Sequence, residues 1–166
     1  MKFSIIDPYL KQPNVIARED LPEGMRALVD VLAVKSNQEE ALRFAYDTLT
    51  QKYRGYRTLT FLRLDRLCST SMETLWNIRG FLHCHHINYL LRTLLLASGQ
   101  FQVENIEARW TGVWFISPHQ YLIVTLRNGQ KIEVDVWARA YGIPFGSHAH
   151  GLQSGSLIAS TLPEKQ

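Results

Sequence analysis

Cysteine is scarce in this chain: two in 166 residues, Cys68 and Cys84, too few for a disulfide framework. The paired C-x-x-C spacing that marks structural zinc sites is missing. No apolar run is long enough to span a bilayer, and the opening Met1-Lys2-Phe3-Ser4-Ile5-Ile6 is cut by Asp7-Pro8 before an apolar leader develops. A reducing, cytoplasmic home without membrane association is therefore expected. Charge of one sign is lacking too. The 18 basic and 15 acidic side chains leave +3 and the basic ones form no run, so no nucleic-acid partner is expected despite a pI near 9.0.

What the chain does have is apolar content, 46% of its residues, enough for one ordinary domain with a real core. Residues 1–20, with Pro8 and Pro13, read as an extended arm, residues 21–150 as one domain and residues 151–166 as a tail. Leu21-Pro22-Glu23 opens a helix that continues through Met25, Leu28, Val29, Leu32 and Ala33. Asn37 caps a second, with Glu39 and Glu40 at its positive end and an apolar stripe of Ala41, Leu42, Ala45, Tyr46 and Leu49 that fades near Tyr53 to Gly55. Arg57 to Leu67 reads as a helix, and Thr70-Ser71-Met72-Glu73 as a capping box for a short one ending near Ile78.

The stretch from Trp76 to Gly99 organises the rest. Gly80 breaks the preceding helix. From Ile87 on, Leu90, Leu91, Leu94, Leu95 and Ala97 recur at helical spacing, and Gly99 stands where a left-handed cap closes the helix. At the other end Cys84 meets unpaired backbone N–H groups and the positive pole of the helix dipole, with His83, His85 and His86 within two residues. That setting favours a thiolate.

After Gly99 the sequence turns to β character. Phe101 to Trp110, Val113 to Ile116, Tyr121 to Leu126 and Ile132 to Trp137 read as strands separated by Gly112, Pro118 and Asn128-Gly129. A two-residue loop at Asn128-Gly129 sets apolar against charged residues at every step. A three-residue loop, Arg127-Asn128-Gly129 with Gly129 in a left-handed bulge, aligns Leu122, Val124 and Leu126 with Ile132, Val134 and Val136. The second register builds a continuous apolar face, and it makes His119 the diagonal neighbour of Asp135.

A cysteine at a helix start, a histidine heading a strand and an acid on the next strand are the parts of a thiol acyl-transfer site. Cys84 attacks a carbonyl, His119 manages protons, Asp135 supports the imidazolium, and backbone N–H groups at the helix start hold the oxyanion. Asp135 lies among Val134, Val136 and Trp137, where an acid needs a partner.

Gly80…Cys84, His119 and Asp135 in that order, with the trailing Ala140-Tyr141-Gly142-Ile143-Pro144-Phe145-Gly146 and with Tyr53 after the second helix, resemble the core of the transglutaminase-like cysteine peptidase superfamily. The chain departs from that family's pattern in carrying Leu82 where a glycine precedes the cysteine by two residues, and Tyr121 where a tryptophan follows the histidine. The resemblance implies an α+β fold related to papain-like proteases, with N-terminal helices, one bearing the cysteine, packed on a C-terminal antiparallel sheet. It implies hydrolysis or transfer of an acyl group from a protein or peptide through a Cys84, His119, Asp135 triad, with no cofactor.

Other residues carry competing readings. Asn77, with Trp76 beside it, lies where related thiol enzymes place a polar side chain that helps hold the oxyanion, although a capping role for Asn77 and a core role for Trp76 fit equally. Tyr121 is a candidate for substrate binding, and Trp110, Trp114 and Trp137 for a groove or for core. A zinc site from Cys84, His119, His148 and His150 is the alternative chemistry, since His148-Ala149-His150 sets two imidazoles on one side of an extended chain. A catalytically silent interaction module on the same fold is the third reading. Adjacent helical residues point about 100° apart, so His83, His85 and His86 cannot share one centre and read as surface or packing residues. His148 and His150 read as a loop near the site, and Cys68 as structural.

Overall fold

The computed structural model describes residues 16–63, 71–113 and 117–151. The N-terminal arm up to residue 15, Cys68, Trp114 and the tail from residue 152 lie outside the described residues. The architecture is mixed α+β: helices α1 (Glu23–Ala33), α2 (Gln38–Lys52), α3 (Arg57–Leu62), α4 (Met72–Asn77) and α5 (Cys84–Ala97) precede a three-stranded antiparallel sheet. The sheet comprises β3 (Ile106–Val113), β4 (Ser117–Thr125) and β5 (Lys131–Val134), in that order. Two short strands, β1 (Tyr53–Arg54) and β2 (Gly80–Phe81), form a separate parallel pair inside the helical half.

The helices follow their apolar stripes. Met25, Leu28, Val29 and Leu32 are the buried face of α1, and Ala41, Leu42, Ala45, Tyr46 and Leu49 that of α2. Asn37 caps α2 as expected, its side-chain oxygen accepting the Glu40 N–H at 2.9 Å. The cap of α4 is Ser71 rather than Thr70, its hydroxyl accepting the Thr74 N–H at 3.3 Å; Thr70 is outside the described residues. Helix α5 is buried along nearly its whole length and packs on α1, α2, α4 and β4. It is the middle of the core. Gly99 ends it with φ 72°.

The hairpin of β4 and β5 has the register that the apolar alternation favours: Leu122 pairs with Val134 and Val124 with Ile132, across the three-residue loop 127–129. The Leu126 N–H donates to the Gln130 carbonyl at 2.8 Å and Gly129 takes φ 84°. Three strand limits differ from expectation. Gly112 and Pro118 do not separate strands; they pair with each other inside β3 and β4. A proline is tolerated there because β5 pairs only with Leu122 to Thr125, so β4 has one neighbour at its start. Phe101 to Asn105 is not strand but a buried phenylalanine leading into a 3-10 turn over Val103–Asn105, held by the Gln102 N–H donating to Asn105 Oδ1 at 2.9 Å. Finally, β5 stops at Val134. Asp135 Oδ1 accepts the Ala138 N–H at 3.0 Å and bends the chain into a 3-10 turn over Trp137–Tyr141.

Candidate active site

Cys84 is the first residue of α5. The residue before it, His83, offers no side-chain cap; its Nε2 reaches the Arg63 carbonyl at 3.0 Å instead. The amides of His86 and Ile87 bond back to the His83 carbonyl, which leaves those of Cys84 and His85 without an intrahelical acceptor. The thiol thus sits, partly buried, at a positive helix end with donors beside it.

His119 and Asp135 meet as the hairpin register requires. His119 Nε2 lies 2.7 Å from Asp135 Oδ2, and the two residues are 3% and 1% exposed. The carboxyl is held from two further directions, by the Ala138 N–H on Oδ1 at 3.0 Å and the Ala149 N–H on Oδ2 at 2.9 Å. A buried acid with three N–H donors is fully satisfied, which answers the cost of placing it among apolar neighbours. The Trp137 ring stands 5.1 Å from that of His119.

Cys84 and His119 line the same cleft, and each shifts the other's protonation. Since Asp135 occupies Nε2, Nδ1 is the ring nitrogen left for the thiol. Burial pushes the thiol up, but hydrogen bonds with His119 and His85 and the charges of both rings outweigh it and bring Cys84 to about 6. Burial also disfavours a charged His119, yet the charge and hydrogen bond of Asp135, reinforced by the thiol, raise it to about 10. Between those limits the pair is a thiolate and an imidazolium.

A second contact fixes the two halves of the site. Asn88, one helical turn after Cys84, donates from its Nδ2 to the Gln120 carbonyl at 2.9 Å and to Gln120 Oε1 at 3.2 Å. Gln120 is the neighbour of His119, so this clamp joins α5 to β4 beside the chemistry. A cleft opens at Cys84. Arg57, Thr60 and Phe61 of α3 line it together with Val113, Ser117 and Pro118 from the end of the β3–β4 hairpin, and with Cys84, His119 and Trp137.

The other residues singled out from the sequence lie elsewhere. Asn77 is exposed at the end of α4 and does not line the cleft. Trp76 packs against Gly24 and under the Lys52 ammonium, 3.9 Å from its ring. The reason is Tyr53, whose buried hydroxyl bonds the Leu75 and Trp76 carbonyls and ties α4 to the end of α2. Tyr121 is covered by His148, the rings parallel with centroids 3.8 Å apart, so it does not reach substrate space.

The zinc set does not assemble. His148 Nδ1 pairs with Glu133 Oε2 at 2.7 Å and His150 Nδ1 bonds the His148 carbonyl at 3.2 Å, while Cys84 and His119 face the cleft. Among the described residues no three His, Cys, Asp or Glu side chains are arranged to hold an ion. The loop carrying His148 does approach the site, through the Ala149 amide on Asp135. Of the two roles open to His83, His85 and His86, surface or packing, the structure gives packing: all three are buried, in mutual ring contact. Of the tryptophans, Trp137 lines the cleft and Trp110 does not.

The sequence reading missed the Ala138 and Ala149 amides, the Asn88–Gln120 clamp and the α3 wall. Only the clamp had a signal: an asparagine four residues after the cysteine within an apolar stripe. Among the described residues no helix is long and apolar enough to cross a membrane. Comparison with protein-family models, with curated proteins and with solved structures gives no significant match.

Proposed function

We propose that the chain is a thiol-dependent acyl hydrolase or acyl transferase of the transglutaminase-like kind, acting on an amide of a protein or peptide. The observation that carries the reading is the buried, hydrogen-bonded His119–Asp135 pair, whose imidazole lines one cleft with Cys84 at an uncapped helix start. On this reading α5 and the sheet correspond to the central helix and strands of a papain-like core.

The thiolate adds to the carbonyl carbon, and the oxyanion lies at the Cys84 amide. His119 passes its Nδ1 proton to the amine as the C–N bond breaks, leaving a thioester on Cys84 and a neutral imidazole. That imidazole then takes a proton from water or an acceptor amine as the new bond to the acyl carbon forms. The thiolate departs, and Asp135 supports the restored imidazolium. Phe61, Val113, Pro118 and Trp137 give the cleft an apolar lining, Arg57 adds a cation to the His119 imidazolium, and no carboxylate stands among the named lining residues. A neutral, apolar acyl side chain suits it better than a basic one.

Iodoacetamide labelling tests the reading. Cys84 is expected to react at neutral pH faster than a model thiol, and His119→Ala to remove the advantage. Incubation with an activated peptide ester is expected to trap an acyl adduct on Cys84 in the intact-protein mass spectrum. An unaltered labelling rate in His119→Ala, with no adduct, overturns the proposal.

A further inference from the structure

The wall that α3 gives the cleft is a helix with little of its own to hold it. Its six residues make less than two turns, too few for a helix that is stable by itself, and none of them is buried. Phe61 is 55% exposed and Leu62 74%. Tyr56 precedes the helix without offering a side-chain cap, so its first N–H groups need acceptors from elsewhere. Yet Arg57, Thr60 and Phe61 line the same cleft as Cys84 and His119.

Two contacts fix where this wall stands. The Arg57 N–H donates to the Tyr141 hydroxyl at 2.8 Å, across 84 residues of chain. Just upstream, the backbone of Gly55 lies so close on Trp137 that a Cβ there would come 2.4 Å from the ring and from the Trp137 carbonyl. Tyr141 in turn stacks on Trp137, centroids 5.2 Å apart, and Trp137 stands beside the His119 ring. The 3-10 turn that Asp135 starts therefore does two things. It sets Trp137 against the imidazole, and from Tyr141 it supplies the acceptor that α3 lacks.

We propose that Tyr141 is a positioning residue that determines specificity: by accepting the first N–H of α3 it sets where the α3 wall stands, and so selects an acyl donor with a large apolar or aromatic side chain. The inference rests on the acyl-transfer reading and adds to it the part of the fold that recognises the donor. Phe61 rides on α3 and Trp137 on the turn, so the bond from Arg57 to Tyr141 spaces the two aromatic rings of the cleft. With no buried residue, α3 has no packing of its own to keep that spacing. A flat or branched apolar group is the one that gains most from walls held at a fixed separation, because its binding comes from contact on more than one side. Tyr141 itself is not among the lining residues and acts through α3.

Alkylation of Cys84 by two reagents is the test. Iodoacetamide reports on the thiol and the imidazole; N-acetyl-phenylalanine chloromethyl ketone carries a benzyl group that reports on the walls as well. The ratio of the ketone's second-order rate constant to that of iodoacetamide is measured in the wild type, Tyr141→Phe, Phe61→Ala and the double variant. Tyr141→Phe keeps a ring on Trp137 and removes only the acceptor. It is expected to lower the ratio roughly fivefold, the loss lying in the ketone's binding constant rather than in its maximal rate. Phe61→Ala is expected to lower the ratio too, and the double variant by no more than the larger single loss, because both changes act on one contact. A ratio unmoved in either single variant overturns the inference, and so do losses that multiply in the double. If His119→Ala slows iodoacetamide while Tyr141→Phe leaves the ratio unmoved, only the role of Tyr141 falls; if His119→Ala leaves the iodoacetamide rate unaltered, the acyl-transfer reading falls and this inference with it.

Discussion

Asp135 accepts three N–H bonds, and a single atom exchange separates its charge from its geometry. In Asp135→Asn an amide nitrogen must replace either Oδ1, which faces the Ala138 N–H, or Oδ2, which faces both His119 Nε2 and the Ala149 N–H. Either way a donor meets a donor. We expect a stability loss of roughly 1–3 kcal/mol in chemical denaturation, and a fall in acylation rate of roughly 10²–10⁴-fold, because His119 loses its orienting charge. The two groups that exchange protons set the pH profile. Acylation is expected to rise through about 6, where Cys84 becomes thiolate, and to fall through about 10, where His119 loses its proton. A rate profile from pH 5 to 11 checks both limbs, and a flat one contradicts the pairing. The pairing of His119 with Asp135 was legible in the sequence because strand alternation fixes which side chains are diagonal neighbours. The burial of His83, His85 and His86 was not. Polar residues in a first helical turn carry no periodic signature, and only tertiary packing of α4, β2 and α5 encloses them.

Between elements, the contact that matters most to the site is the one from Asn88 to Gln120. Asn88→Leu leaves the Gln120 side-chain and backbone oxygens without that donor and pushes a branched chain between α5 and β4. An expected loss of roughly 1–3 kcal/mol should come with a drop in acylation, since the shift separates Cys84 from His119. Asn37→Ala provides the contrast. It removes the α2 cap, far from the cleft, for about 1 kcal/mol and is expected to leave the acylation rate unchanged. Thermal melts and single-turnover kinetics on the two variants separate a structural from a functional effect. Helices α1, α2 and α5 were legible because their apolar residues recur on one face. The parallel pair β1–β2 was not: two residues per strand are too short to show a period, and Gly80 looked like a plain helix break. The early end of β5 escaped for another reason, a side-chain oxygen at Asp135 outcompeting the ladder.

For the whole molecule, the thiol and imidazole couple folding to pH in a way whose sign can be worked out. Cys84 is depressed from 9.0 to about 6, so its contribution is present above 9.0 and lost as pH falls through about 6. His119 is raised from 6.5 to about 10, so its contribution is present below 6.5 and lost as pH rises through about 10. Between about 6.5 and 9 the folded pair holds one proton, on the imidazole, and the unfolded pair also holds one, on the sulfur. Their opposing slopes cancel there. In urea titrations, the stability difference between wild type and the double variant Cys84→Ala/His119→Ala is expected to be flat across that window and to shrink outside it. A steady slope through pH 8 would mean the pair is not an ion pair. The α+β plan was legible from the switch in apolar period after Gly99. The cleft was not, because its walls come from α3 and the β3–β4 hairpin end, more than fifty residues apart along the chain.

The nucleophile belongs to the helical half, one of its partners to the sheet and the other to the turn just past the last strand, so the sulfur acquires its reactivity only after that strand has docked. While the polypeptide is still emerging or only partly collapsed, position 84 carries an ordinary, sluggish thiol. Chemical potency is thereby made contingent on completion, and the onset of fast alkylation during refolding becomes a clock for the final closure of the molecule.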